Sequence, residues 1–222
     1  MQSILEKFFN LIYENACLVC SKPAKDLFIC TSCEKEFVER KEKPTKNFDE
    51  ITIYSWGLYD GKLRQGIIAL KTDKKKLASY FAKKLIEFWN DLPKEIKNEN
   101  YLVIPTPSHK KRIKERGYCQ TELIAKEFAN NLGLHFSNKL VIRSKETLYM
   151  NSLTSLNERV KNIKNAFEII SEEPIEKDIL IIDDILTSGS TLRELARTIK
   201  EKYPKKNLIG LTVSAGDTYS IL

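Results

Sequence analysis

The sequence predicts an α/β protein with a mostly parallel central sheet, and three observations carry that expectation. From residue 101 onward, candidate segments run strand, helix, strand, strand, helix, strand; such alternation favours parallel strands covered by helices. One stretch, ILIIDDILTSGST (Ile179–Thr191), passes from an aliphatic run through two adjacent acids into a small-residue turn and then a helix. At 222 residues and 42% hydrophobic content, the chain can bury one substantial core and still carry a small appended module.

The elements follow from local pattern. MQSILEKFFNLIYENA has apolar residues at helical spacing but carries Glu6, Lys7 and Glu14, so it reads as a helix and not as a signal peptide. EKEFVERKEKPTKNFDE is a charged run with Pro44, and a linker or module edge is expected near residues 40–50. ITIYSWGLYDGKLRQGIIALK alternates β-branched and aromatic residues, and Asp60-Gly61 suggests a hairpin turn within it. LASYFAKKLIEFWNDL places Leu77, Phe81, Leu85 and Trp89 on one helical face. YLVIPTP is a short buried strand. Thr121–Leu132 is a helix stopped by Gly133. AFEII and ILIID are strands, STLRELARTIKEKYP is a helix ended by Pro204, and LIGLTVS is the last strand. No run approaches the ~18 apolar residues of a membrane span, so a cytosolic location is expected.

Four of the five cysteines lie in CLVCSKPAKDLFICTSC, as Cys17-x2-Cys20 and Cys30-x2-Cys33. Two such knuckles complete a tetrahedral thiolate shell for structural Zn²⁺. The nine-residue spacer can fold back as a hairpin, with Pro23 and Asp26 as turn formers. Disulfides or unrelated buried thiols are the alternatives, and disulfides do not suit a chain without export signals. Cys119 stands alone.

The net charge of +7 is unevenly placed: in residues 51–166 basic side chains outnumber acidic ones two to one, while the flanking parts are slightly acidic. That suits a polyanionic partner, or simply a lysine-rich solvated surface. The dense runs are KTDKKK and HKKRIKER. Arg64, Lys71, Lys110, Lys111, Arg112, Lys114 and Arg116 are the candidates for diphosphate or DNA phosphates. Tyr54, Trp56, Tyr59 and Tyr118 could stack on bases or fill the core. His109 and His135 lie near no nucleophile, which argues against a Ser/His/Asp hydrolase.

In an open parallel sheet, ligands bind beyond the carboxyl ends of the strands. Asp183 and Asp184 occupy such an end and, being adjacent on an extended segment, point to opposite sides. Carboxylates accept hydrogen bonds from vicinal ribose hydroxyls or hold them through Mg²⁺. Thr187, Ser188, Gly189, Ser190 and Thr191 then lead into a helix whose N–H groups and positive dipole end suit a phosphate. The bland reading is a capped βα turn with two solvated acids.

IIDDILTSGST resembles the PRPP-binding signature of type I phosphoribosyltransferases. The resemblance implies that the acids hold the ribose hydroxyls, that Thr187–Thr191 holds the 5′-phosphate, and that Pro105 and Thr106 belong to a partner loop for pyrophosphate. Pro105-x-Pro107, Arg112 and Arg116-Gly117-Tyr118-x-Gln120 narrow this to a resemblance to the ComF family. The four-cysteine module, Tyr59-x-Gly61-x-Leu63-Arg64 and Arg159-x2-Asn162 ahead of Ala166-Phe167 fit the same family. The family commonly has Asn where Cys119 stands, and a Gln upstream of Glu158-Arg159 that this chain lacks.

The resemblance implies a type I phosphoribosyltransferase-like sheet over residues 49–222, preceded by a helix and zinc module over residues 1–48. It implies PRPP with Mg²⁺ as ligand, and single-stranded DNA and DNA-uptake or recombination proteins as partners. The protein would act in DNA uptake during natural transformation, peripherally associated with the uptake machinery. An active phosphoribosyltransferase, with Asp183 and Asp184 as catalytic residues, and a PRPP-sensing regulator are the competing functions.

Overall fold

A computed structural model describes residues 16–24, 28–37, 45–97, 100–148, 155–172 and 174–216. The expected N-terminal helix and Asp26 lie outside the described residues.

The centre is a six-stranded sheet in the order β1-β2-β8-β7-β3-β4. Its strands are β1 (Thr45–Phe48), β2 (Ile51–Leu58), β3 (Tyr101–Pro105), β4 (His135–Phe136), β7 (Asp178–Leu186) and β8 (Leu208–Ala215). All neighbours are parallel except β1, which is antiparallel to β2 at the edge. A separate antiparallel pair joins β5 (Val141–Arg143) to β6 (Phe167–Ile169). The helices are α1 (Thr31–Lys35), α2 (Gly61–Thr72), α3 (Leu77–Asn90), α4 (Lys110–Arg116), α5 (Gln120–Leu132), α6 (Leu156–Ile163) and α7 (Ser190–Lys202).

Alternation along β7 builds both halves of the core. Leu180 and Ile182 face a layer formed by α2, α3 and α5, in which Leu70, Phe81, Leu85 and Phe128 are fully buried. Ile179 and Ile181 face the other layer, with Leu195, Ala196 and Ile199 of α7 and Val141 and Phe167 of β5 and β6. A strand buried on both faces must read as a continuous aliphatic run, which is why ILII precedes the acids.

Two expectations are corrected. Asp60-Gly61 is no hairpin turn: Asp60 is the N-cap of α2. KLRQGIIALK is therefore helical, its Leu63, Gly66, Ile67 and Leu70 forming the buried stripe; a stretch with apolar residues at both i+2 and i+3/i+4 fits either period. The linker expected near 40–50 already contains β1, which pairs Thr45–Phe48 with Ile51–Tyr54 through a tight turn. Elements α4, β4, β5 and α6 are too short or too polar to carry a clear period, and pattern reading missed them.

The cysteine knuckle is joined to the same core. Cys17, Ala24, Ile29, Cys33 and Phe37 are buried in the α2–α3 layer. Phe37 meets Trp56 and Tyr80 edge-on, and Glu34 accepts from Tyr80 and pairs with Lys84 at 3.3 Å. The helix α2 passes so close that a Cβ added at Gly66 would lie 3.2 Å from Phe81 and 3.5 Å from Val19.

Candidate functional site

At the carboxyl end of β7 the two acids diverge as the pleat requires. Asp184 continues the Leu180–Ile182 face. Its Oδ2 pairs with Lys71 Nζ of α2 at 3.0 Å and accepts from Gln120 Nε2 of α5 at 3.0 Å. Gln120 in turn accepts from Arg116, and Tyr118 donates to the Leu70 carbonyl one residue before Lys71. Lys71 and Arg116, expected on a phosphate-facing surface, are thus gathered around Asp184. Gln120, not singled out as a site residue from the sequence, is the link between them; its place in the Arg116-Gly117-Tyr118-x-Gln120 stretch was the available signal.

Asp183 faces the other layer. Its Oδ1 accepts the Asp184 backbone N–H at 2.8 Å. Burial, then the neighbouring Asp184 charge, push its carboxyl up to about 7. The Thr106 hydroxyl is buried beside it and favours the charged form, yet has no well-formed hydrogen bond among the described residues. On the same side sits Arg143 of β5, only 8% exposed. Its guanidinium donates to the Thr147 hydroxyl and stacks over Phe167, while its Nε is buried without a partner among the described residues. Burial, then Arg112, lower its pKa to about 10, so it stays charged at neutral pH. Sequence reading missed Arg143 because a single Arg closing a three-residue strand carries no pattern.

Pro105 ends β3 opposite Ile182, and the Thr106 N–H donates to the Ile182 carbonyl at 2.8 Å. Thr121 fixes the Thr106 carbonyl at 2.8 Å. The loop Thr187–Gly189 and the first turn of α7 follow β7 directly. Gly189 is the N-cap with φ +75°, a conformation that disfavours side chains. A Cβ there would also lie 2.6 Å from the Phe48 ring of β1, and Arg193 of α7 covers that ring at 4.8 Å. Ser188 and Ser190 hydroxyls share a 2.7 Å hydrogen bond. The N-cap glycine offers no side chain, so it leaves the first N–H groups of α7 to other acceptors.

The basic run 110–116 is the helix α4, capped by His109, whose ring accepts from the Lys111 N–H. Lys110, Lys111 and Lys114 are exposed, with Lys111 paired to Glu146 at 2.7 Å; Arg112 turns inward and donates to the Thr147 carbonyl at 2.8 Å. Arg64 is exposed over Tyr59. Trp56 is buried in the core, and Tyr54, Tyr59 and Tyr118 are half-buried, so these aromatics do not form an open stacking surface.

The Sγ atoms of Cys17, Cys20, Cys30 and Cys33 all lie within 4.8 Å of one another, and none is in a disulfide. Burial opposes ionisation of Cys17, but backbone hydrogen bonds at Cys30, Val19 and Cys20 outweigh it and bring the thiol down to about 6. Burial and neighbouring thiols push Cys33 up. Four converging thiols fit a closed tetrahedral metal site, and Zn²⁺ bound there would supply folding free energy without an open position for catalysis. No helix among the described residues is long and apolar enough to cross a membrane.

Residues 122–219 match the family described as "Phosphoribosyl transferase domain". Competence protein F of Haemophilus influenzae is 32% identical over 102 residues, covering 45% of this chain and 44% of that one. DNA utilization protein YhgH of Escherichia coli strain K12 is 30% identical over 98 residues, covering 44% and 42%. The chain thus spans less than half the length of these curated relatives. Among solved structures, adenine phosphoribosyltransferase of Saccharomyces cerevisiae aligns at 19% identity with a TM-score of 0.38, over 63% of this chain and 70% of that one. Hypoxanthine phosphoribosyltransferase of Staphylococcus aureus aligns at 17% and 0.38, over 65% and 66%. The phosphoribosyl transferase domain match and the similarity to competence protein F and YhgH support a ComF-like, phosphoribosyltransferase-like protein.

Proposed function

We propose that the protein binds PRPP with Mg²⁺ and acts in competence and DNA utilization, handling single-stranded DNA during uptake in natural transformation. The observation that carries the ligand reading is the junction of β7 and α7: two buried acids at a strand's carboxyl end, followed at once by Thr187, Ser188, Gly189, Ser190 and Thr191 at a helix N-terminus. In this reading Asp183 and Asp184 take the ribose hydroxyls directly or through Mg²⁺. The loop N–H groups and hydroxyls take the 5′-phosphate. Pro105 and Thr106 border the pyrophosphate. Lys71 and Gln120 hold the Asp184 carboxylate in place.

The names of the curated relatives support the biological role, and exposed cations support the DNA reading. Arg64, Lys110, Lys111 and Lys114 face solvent, and Lys75, Lys76 and Lys126 line an open groove of about 540 Å³. Polyphosphate contacts of this kind make affinity fall with salt. Peripheral association with uptake machinery, and residues 1–48 as a module docking recombination or uptake proteins, belong to the same proposal.

Calorimetry with PRPP, with and without Mg²⁺, tests the ligand. Binding that requires Mg²⁺ and is lost in Asp184→Asn and Ser190→Ala is expected; equal binding by the variants sinks the site assignment. Salt-dependent binding of single-stranded over duplex oligonucleotides is expected, and a duplex preference points to the regulator instead. Pyrophosphate release with an acceptor panel reads turnover and a catalytic role for Asp183 and Asp184.

A further inference from the structure

The structure contains a cavity of about 180 Å³ between β3, β5 and the starts of α4 and α5. At the volume of liquid water this is room for roughly six water molecules, enough for a small molecule and too little for a nucleotide. Its walls are mainly apolar: Ile104, Pro105, Pro107, Ile113, Val141 and Ile142. Arg143 also lines it.

A buried cation without a counter-ion is costly, and among the described residues no carboxylate pairs with Arg143. Its Nε has no partner among the described residues, and the adjacent Arg112 adds like charge. Asp183 acts on it only at a distance. The acid on the cavity wall, Glu122, is occupied by the Asn138 amide at 2.7 Å. Lys110 at the exposed rim adds positive potential.

We propose that this cavity is a binding subsite for a small carboxylic acid, its carboxylate on Arg143 and its apolar body against the Ile104–Pro107 and Val141–Ile142 walls. A carboxylate matches a guanidinium edge with two parallel hydrogen bonds. A diphosphate carries more charge and asks for several donors, whereas Pro105 and Pro107 have no N–H to give. The cavity shares Pro105 with the proposed PRPP site, so its occupant is a second ligand beside PRPP; its existence does not rest on PRPP binding.

The test titrates the full-length protein with propionate and benzoate, each against its neutral amide, following thermal shift and calorimetry. The wild type should bind at least one acid about tenfold or more tighter than its amide, the factor that a charge-assisted pair supplies. Arg143→Gln should erase that preference while Asp183→Asn keeps it. Equal affinity for acid and amide, or no binding by either acid, overturns the subsite. Displacement of the acid by pyrophosphate also overturns it, because the cation then belongs to the diphosphate. PRPP titrated separately into the same variants keeps failure of the PRPP reading distinguishable from failure of this one.

Discussion

The two faces of β7 at its carboxyl end are built to different rules. On one, Asp184 has an ammonium and an amide within 3.0 Å, and that amide's own oxygen is taken by Arg116. On the other, Asp183 is pushed up to about 7, while the Thr106 hydroxyl and Arg143 Nε lack partners among the described residues. The same dipeptide therefore carries one carboxylate in a completed network and one in an incomplete site. Buried polar groups are normally paired, so the incomplete face is where a ligand has most to contribute, and the completed face is what holds the pair in register.

The comparison can be broken from the outside first. Helix α2 packs on the cysteine knuckle through Gly66 and carries Lys71 to Asp184. Metal removal by chelation, or Cys33→Ser, should therefore cost the most, several kcal/mol on the scale of structural zinc sites. Hydrogen exchange should rise in α2 and around Asp184 before it rises in β5; uniform loosening of both faces would contradict the asymmetry.

Lys71→Met comes next. Among the described residues it leaves the buried Asp184 carboxylate with the Gln120 amide alone, and a loss of about 1–3 kcal/mol is expected, below the fully buried range because Lys71 is 31% exposed. Urea denaturation measures it, and Lys71→Met in an Asp184→Asn background should cost less than in the wild type. Gly189→Ala should cost about 1–3 kcal/mol, from the positive φ and from the Phe48 ring, with a larger penalty to PRPP affinity than to stability.

The last effect has the opposite sign. Asp183 has a folded pKa raised to about 7 from 3.8. The folded state therefore binds the extra proton between about pH 4 and 7, and stability falls as pH rises through that window. Asp183→Asn should flatten that slope and raise Tm at pH 8 more than at pH 5, read from thermal melts across that range. PRPP affinity in the wild type should rise across pH 6 to 8, as the carboxylate ionises. A pH-independent affinity would show that Asp183 does not carry the ligand's hydroxyls.

Much of this was legible in the sequence. The aliphatic run, the acid pair, the hydroxyl-rich turn and the amphipathic helix after it define β7, the loop and α7, because each rests on a local period or on one residue's backbone preference. The paired CxxC knuckles were legible for the same reason: ligand spacing is a local property, and the fold brings all four thiols within 4.8 Å. The helix in 61–72 was not, because its apolar residues fit two periods until Leu63, Ile67 and Leu70 have a core to face.

What only the tertiary structure decided is which distant groups meet. Lys71 and Gln120 reach Asp184 across 113 and 64 residues of chain, and Arg143 comes beside Asp183 from a strand of three residues. Composition marked Lys71, Arg112 and Arg116 alike as part of a basic stretch. Packing turned Lys71 and Arg116 toward the Asp184 network and Arg112 toward the Thr147 carbonyl, leaving Lys110, Lys111 and Lys114 in solvent. A charge's meaning depends on the dielectric and the partners around it, and those are properties of the folded chain.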